Sequence, residues 1–336
     1  MKTGAIKYSI LLFLLIVVAP ATLLPNLSTS PIPIPISYSF ISLQTITYTP
    51  EFNLSSDSVV IPLKRAGRLF LIEAKVEDQT GNLVFDTGAN GLVLNATYFR
   101  DHAKTGGSNT IGITGAVGVV EQISISRIEL PEITYKNVRA DVTNLGHIEN
   151  RRGIKILGLI GFSMMKNLEI VIDAKHNQLI LIRIDKAGRR TNSAGGEFKA
   201  DYMQRIENNT NILFLKGKIA GRNLNFCFDT GAETNAISSD SNKSVLNTLT
   251  ITRRSVLKGA GSTGSEVLFG RMNDFAMGEK QIREMETIIT NLDALSDAFG
   301  TKIDGMLGYN FLEQGIVCIN FVKKQFGIRF IKGEEK

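Results

Sequence analysis

The feature that most constrains this chain is a pentapeptide written twice. Phe85-Asp86-Thr87-Gly88-Ala89 recurs 143 residues later as Phe228-Asp229-Thr230-Gly231-Ala232. A single Asp-Thr-Gly is expected by chance in about 6% of chains this long. Two copies, each closing an apolar run and each extended by Ala, need another explanation. The likeness spreads outward from them. Residues 69–76 align without a gap to residues 212–219 at the same offset. Downstream, Gly158-Leu159-Ile160-Gly161-Phe162 matches Gly305-Met306-Leu307-Gly308-Tyr309, and each is trailed by a β-type run, 168–173 and 315–320. A repeat unit this long is a duplicated domain rather than a solenoid.

At 336 residues there is room for two such domains, each with its own core. The spacing divides the chain into a first lobe at 57–186, a polar glycine-rich linker at 187–196 and a second lobe at 197–336. Residues 1–21 read as a signal peptide. Lys2 and Lys7 precede an apolar run from Ile10 to Ala19, and Ala19-Pro20-Ala21 offers small residues for cleavage. An uncleaved anchor is the alternative, and would be the protein's one attachment to a membrane. Either way the body is expected to be exported: periplasmic, secreted or anchored facing outward. Residues 22–56 carry Pro31, Pro33 and Pro35, which forbid a paired central strand, so an extended arm is expected there.

The net charge of +6 is scattered, with only short basic pairs such as Arg151-Arg152, Arg189-Arg190 and Arg253-Arg254. No basic stripe with interleaved aromatics occurs, which argues against nucleic-acid binding. Three dispersed histidines and two isolated cysteines argue against a metal site, and no cofactor is expected. Cys227 and Cys318 fall in apolar runs and are expected as buried thiols, with one disulfide as the alternative.

Short apolar runs bounded by glycine predict strands at 59–63, 68–76, 83–85, 91–94, 119–124 and 168–172, and the second half repeats the plan. Helical pattern is confined to 96–102, 162–166, 244–249 and 292–299. The expected fold is mostly β, two homologous barrel-like lobes related by a pseudo-twofold axis. An aspartate that ends an apolar strand before Thr-Gly sits on a turn at the lip of a core. A twofold axis can bring two such turns together, setting Asp86 against Asp229. Two carboxylates about 3 Å apart cannot both ionise. The charged one can then deprotonate a water while the protonated one donates to a peptide carbonyl, which is amide hydrolysis by general acid–base catalysis.

With these residues in place the sequence resembles the aspartic proteases: pepsin-like in having two lobes in one chain, retropepsin-like in its Asp-Thr-Gly-Ala motifs, and closest in type to bacterial exported aspartyl proteases. The likeness covers roughly residues 57–332. It implies the acid-protease fold, a peptide or protein substrate, and Asp86 and Asp229 as the catalytic pair. It implies further that Thr87 and Thr230 bond across the interface and that Gly88 and Gly231 let backbone amides reach the carboxylates. Gly161 and Gly308 would sit where a second strand passes behind each turn. A single chain with both lobes has no need to dimerise, so a monomer is expected.

The sequence departs from the pepsin pattern after each glycine, where Ala89 and Ala232 offer no hydroxyl to the carboxylate. A working pH nearer neutral than pepsin's follows. Substrate-covering flaps are expected at the glycine-rich stretches around Gly115 and Gly261, although neither carries the tyrosine of pepsin-like flaps, and a plain hairpin turn is the alternative. Asp304 has Leu157 as its counterpart, so it breaks the twofold pattern and reads as a turn residue. Asp173, whose counterpart is Asn320, is expected to end a hairpin strand. The alternatives to an endopeptidase are a non-catalytic peptide-binding pseudoprotease of the cell envelope and a purely structural duplicated barrel.

Overall fold

The computed structural model describes residues 17–19, 48–53, 56–89, 91–112, 115–192, 196–206, 212–258 and 264–331. Its strands follow from the burial that the sequence can support. Leu69–Val76 is wholly buried in its first half and alternates inward and outward in its second. Leu213–Ile219 does the same. Continuous burial at one end and a solvated face at the other is what a strand shows when it runs from a domain interface to the surface. The partner strands Gln79–Phe85 and Arg222–Phe228 return through two-residue turns, Glu77-Asp78 and Ala220-Gly221. Glu77, Ala220 and Gly221 adopt positive φ, as tight hairpins of this twist require.

In each lobe the apolar strand before the aspartate pairs with the strand that ends in glycine. Ile156–Ile160 runs parallel to Gln79–Phe85 and antiparallel to Leu92–Asn95. Gly305–Leu307 lies in the same way between Arg222–Phe228 and Asn235–Ser238. The order around the first sheet is 104–112, 115–130, 133–143, 92–95, 156–160, 79–85, 69–76, and the second sheet repeats it strand for strand. In the first lobe Lys75 and Val76 pair with Glu129 and Ile128, which closes six strands into a barrel. In the second, Phe275–Met277 takes that place against Lys218 and Ile219, and the sheet curls without closing. The fold is therefore mostly β in two homologous lobes, as expected.

A six-stranded sheet joins the lobes, three strands from each. At its centre Leu168–Asp173 pairs antiparallel with its own counterpart, Gly315–Asn320. Val171 lies opposite Cys318, the residue that matches it in the repeat, so the pseudo-twofold axis passes through that pair. Beside it the buried Glu169 accepts from Arg190 Nε at 2.8 Å and from Asn320 Nδ2 at 3.1 Å. One hydrophobic core runs through both lobes, with Phe70 and Phe85 on one side and Phe228, Phe311 and Phe326 on the other. Cys227 and Cys318 are buried free thiols.

Several expected elements differ in extent. The helices are shorter, at Ala96–Phe99, Lys243–Leu246 and Asp293–Phe299, and Phe162–Met164 is a single 3-10 turn. Asn95 and Asn242 cap two of them with side-chain bonds to Thr97 and Ser244 amides, which nucleate a turn without propagating it. The strand expected at 119–124 is the middle of the much longer Gly115–Leu130. Helix Gly146–Arg152, ended by Gly153 in the left-handed region, was not expected. The part of the N-terminal arm at 48–53 lies along the first lobe, where Glu51–Phe52 pairs with Ile133 and Thr134. Val17–Ala19 adds antiparallel to 109–111. Asp173 ends its strand as expected, holding the turn through the His176 amide at 3.0 Å.

Glu169→Ala leaves a nearly buried guanidinium without its anion. It is expected to cost about 3–5 kcal/mol of folding stability, read as a lowered midpoint in urea. Adding Arg190→Leu should restore a large part of the loss.

Candidate active site

Asp86 and Asp229 close the two apolar strands and both are fully buried. Each turn is pinned from behind. The Asp86 amide donates to Ile160 O and the Asp229 amide to Leu307 O, both at 3.0 Å. The strand behind can come this close only because it ends in glycine. A Cβ at Gly161 would stand 2.1 Å from Ala89 O, and one at Gly308 would stand 2.5 Å from Ala232 O. The Gly308 amide is held by the buried Asn235 Oδ1 at 2.9 Å.

Thr87 and Thr230 tie the two turns to each other. The Thr87 amide donates to Thr230 Oγ1 and the Thr230 amide to Thr87 Oγ1, each at 2.9 Å. Each hydroxyl then donates across the interface, Thr87 Oγ1 to Phe228 O at 3.1 Å and Thr230 Oγ1 to Phe85 O at 2.7 Å. These four bonds lie in a region without solvent, so every donor and acceptor in them is satisfied by the other lobe.

The carboxyl groups lie close enough for each to act on the other's proton affinity. Gly88 and Gly231 amides donate to Asp86 Oδ1 and Asp229 Oδ1, both at 2.8 Å. The second oxygens, Asp86 Oδ2 and Asp229 Oδ2, are also buried and take no bond from any other donor among the described residues. Burial raises the proton affinity of both groups. For Asp86 the charge of Asp229 and a hydrogen bond to it raise it further, well above the ordinary carboxylate range. For Asp229 the bond with Asp86 and the amides of Gly231, Ala232 and Gly88 act the other way and favour the ionised form. The pair therefore shares one proton between its two carboxyls. Gly231 matters to this contact as well, since a Cβ there would lie 2.6 Å from Asp86 Cγ.

Gly115 begins the return strand of the hairpin made by Lys104–Gly112 and Gly115–Leu130, paired with Gly112. Gly261 lies outside the described residues. It falls between Lys258 and Gly264, which pair at the end of the equivalent second-lobe hairpin. Asp304 is away from the pair: its Oδ2 accepts the Asn225 amide at 2.9 Å and Lys302 approaches at 3.2 Å, a structural turn role.

Sequence reasoning missed the charged contacts that join the lobes beside the site. Arg152, at the end of the unexpected helix, pairs with Glu233, four residues past Asp229. Arg68 pairs with Glu286 at 2.6 Å and reaches Glu233 O at 3.4 Å. The first-lobe counterpart of Glu233 is Asn90, so comparing the two copies reveals nothing there. The only signal was the acid itself, placed directly after the motif.

Thr230→Val keeps the shape but strands the Thr87 amide and the Phe85 carbonyl. It should destabilise the protein by about 1–3 kcal/mol per stranded group, measured by urea unfolding.

The model of a family described as "Aspartyl protease" matches residues 72–164 and 215–311, one match in each lobe. Each match holds one Asp-Thr-Gly turn and the glycine strand behind it, and together they cover more than half of the chain. No curated protein matches it. Two repeats of one family's model, laid on two lobes whose strand orders agree and whose aspartates meet at the axis, show that the chain belongs to the aspartyl protease family.

Proposed function

We propose that the protein is an aspartic endopeptidase that cuts peptide bonds with a water activated between Asp86 and Asp229. The observation that carries this is the pairing of two fully buried carboxyls, each raised in proton affinity by burial and each cradled by a glycine amide at 2.8 Å. A pair in that state holds an acid and a base within reach of one water, the requirement for general acid–base hydrolysis without a covalent intermediate. The ionised member of the pair takes the proton from water. The protonated member donates its proton to the carbonyl oxygen of the scissile bond. The tetrahedral intermediate then collapses as the amine leaves with a proton returned from the pair. The threonine bonds do no chemistry; they fix the separation on which the shared proton depends. The substrate is a peptide or protein segment bound in extended form between the lobes. The charged, apolar and small-residue pattern of residues 1–21 supports export as the setting.

Asp86→Asn and Asp229→Asn should each abolish cleavage of a diverse peptide library that the wild type digests. Because burial raises both carboxyls, the rate should be greatest nearer neutrality and fall on acidification as the pair takes a second proton. A maximum below pH 3, or cleavage surviving either substitution, contradicts the proposal. Capture of peptides without cleavage between pH 3 and 8 would instead favour a binding protein.

Stability should move in the opposite sense to activity. A carboxyl whose folded proton affinity exceeds its unfolded one, about pKa 3.9 for Asp, stabilises fully below the unfolded value. That contribution is lost as pH rises through the folded value. Asp86→Asn is therefore expected to match the wild type near pH 3 and to melt higher than it at pH 7. The shift at pH 7 should be about 2–4 °C for each kcal/mol relieved, seen by calorimetry.

A further inference from the structure

Beside the carboxyl pair, a cavity of about 570 Å³ opens between the Gly67-Arg68 turn of the first lobe and the hairpin Leu249–Met272 of the second. Glu233 and Thr234 form its near wall. Glu233 is four residues past Asp229, so that wall stands no more than about 14 Å from the pair at about 3.3–3.6 Å per residue. An extended peptide centred on the pair reaches the cavity within about four residues.

The charges around it do not cancel. Arg68 has Glu286 at 2.6 Å, Arg271 has Glu284 at 2.8 Å, and Glu233 has Arg152. Arg253 is different. Its guanidinium lies over the Phe269 ring, 4.1 Å from the centroid, and among the described residues it meets no carboxylate. A local irregularity in the strand puts it there. The register between Leu249–Lys258 and Gly264–Met272 shifts between Ile251 and Arg253, leaving Thr252 as the extra residue and setting Arg253 directly opposite Phe269. Thr252 Oγ1 fastens the bulge by donating to Phe269 O at 3.1 Å. Gly270 permits it, since a Cβ there would stand 2.6 Å from Thr250 O. Bulges re-aim side chains in this way, and the aromatic face fixes the plane of a fork that binds carboxylates in two-point geometry.

We infer that this cavity is a substrate subsite that selects an acidic side chain, with Arg253 as the residue that pairs with it. The inference rests on the peptidase reading: it names the class of peptide that the same groove prefers. A peptide with Glu or Asp at one position, within about four residues of the cut, places its carboxylate against the one cation of the cavity without an anion. Arg253 is exposed, so the selection weakens as salt is raised.

The test uses fluorogenic peptides built on a sequence that the wild type cleaves, carrying Glu, Gln or Lys in turn at each position within four residues of the cut. At one position the wild type should cleave the Glu form about tenfold faster than the Gln form in kcat/KM, and the Lys form more slowly still. Arg253→Glu should reverse that order. Arg253→Lys should keep its sign. Thermal melts of both variants establish that they are folded. Cleavage with no charge preference at any position, or the same preference in folded Arg253→Glu, overturns the subsite and leaves the peptidase reading standing. A labelled library of peptides with Glu, Gln or Lys at matched positions, chosen without regard to cleavage, is also followed by anisotropy. Charge-selective binding that depends on Arg253, without cleavage, upholds the subsite and overturns the peptidase reading. Neither cleavage nor selective binding overturns both.

Discussion

Two carboxyl groups are buried against each other at the axis where the lobes meet, and the rest of the fold is arranged so that they stay there. Removing an ionisable group from water is costly unless it is neutral or well bonded. Here the two groups share one proton, and each is supplied with backbone amides. Neither solution exists in one lobe alone. The turn that carries Asp86 is completed by Thr230, and the turn that carries Asp229 by Thr87. The interface and the acid–base pair are a single construction.

The inter-lobe sheet performs the coarse alignment for this. Strands 168–173 and 315–320 pair with each other in the register that puts matching residues opposite, so the axis is fixed by backbone hydrogen bonds. The threonine bonds then set the fine distance. Side-chain pairs complete the work away from the axis, and these are not symmetric: Arg152–Glu233 and Arg68–Glu286 have no mates in the repeat. Duplication supplied the barrel and the acids, and divergence of one copy supplied the charged wall beside them.

How much of this was legible in the sequence depends on distance along the chain. The carboxyl pair was legible because the same five residues occur twice, and a repeat is visible without knowing any contact. The glycine strands were legible for the same reason. What remained hidden was pairing between unlike segments. Helix Gly146–Arg152 contains a glycine, an asparagine and a histidine, weak helix formers, and is held by Glu149 accepting from the Ile156 amide and by Leu145 and Ile148 packing below. That packing overrides local preference. The bulge that aims Arg253 was invisible too, because a single extra residue leaves no mark on hydrophobic alternation.

The claim that everything rests on is a proton retained between Asp86 and Asp229 at a pH where ordinary carboxyls are ionised. Infrared spectra recorded across pH 3 to 8 read it directly, through the carbonyl stretch of protonated carboxylic acid. One such band should persist at pH 6 in the wild type and be absent when Asp86 and Asp229 are both replaced by Asn. Loss of all protonated-carboxyl signal by about pH 5 in the wild type, as in the double variant, would mean that the two groups titrate as ordinary aspartates and would contradict it.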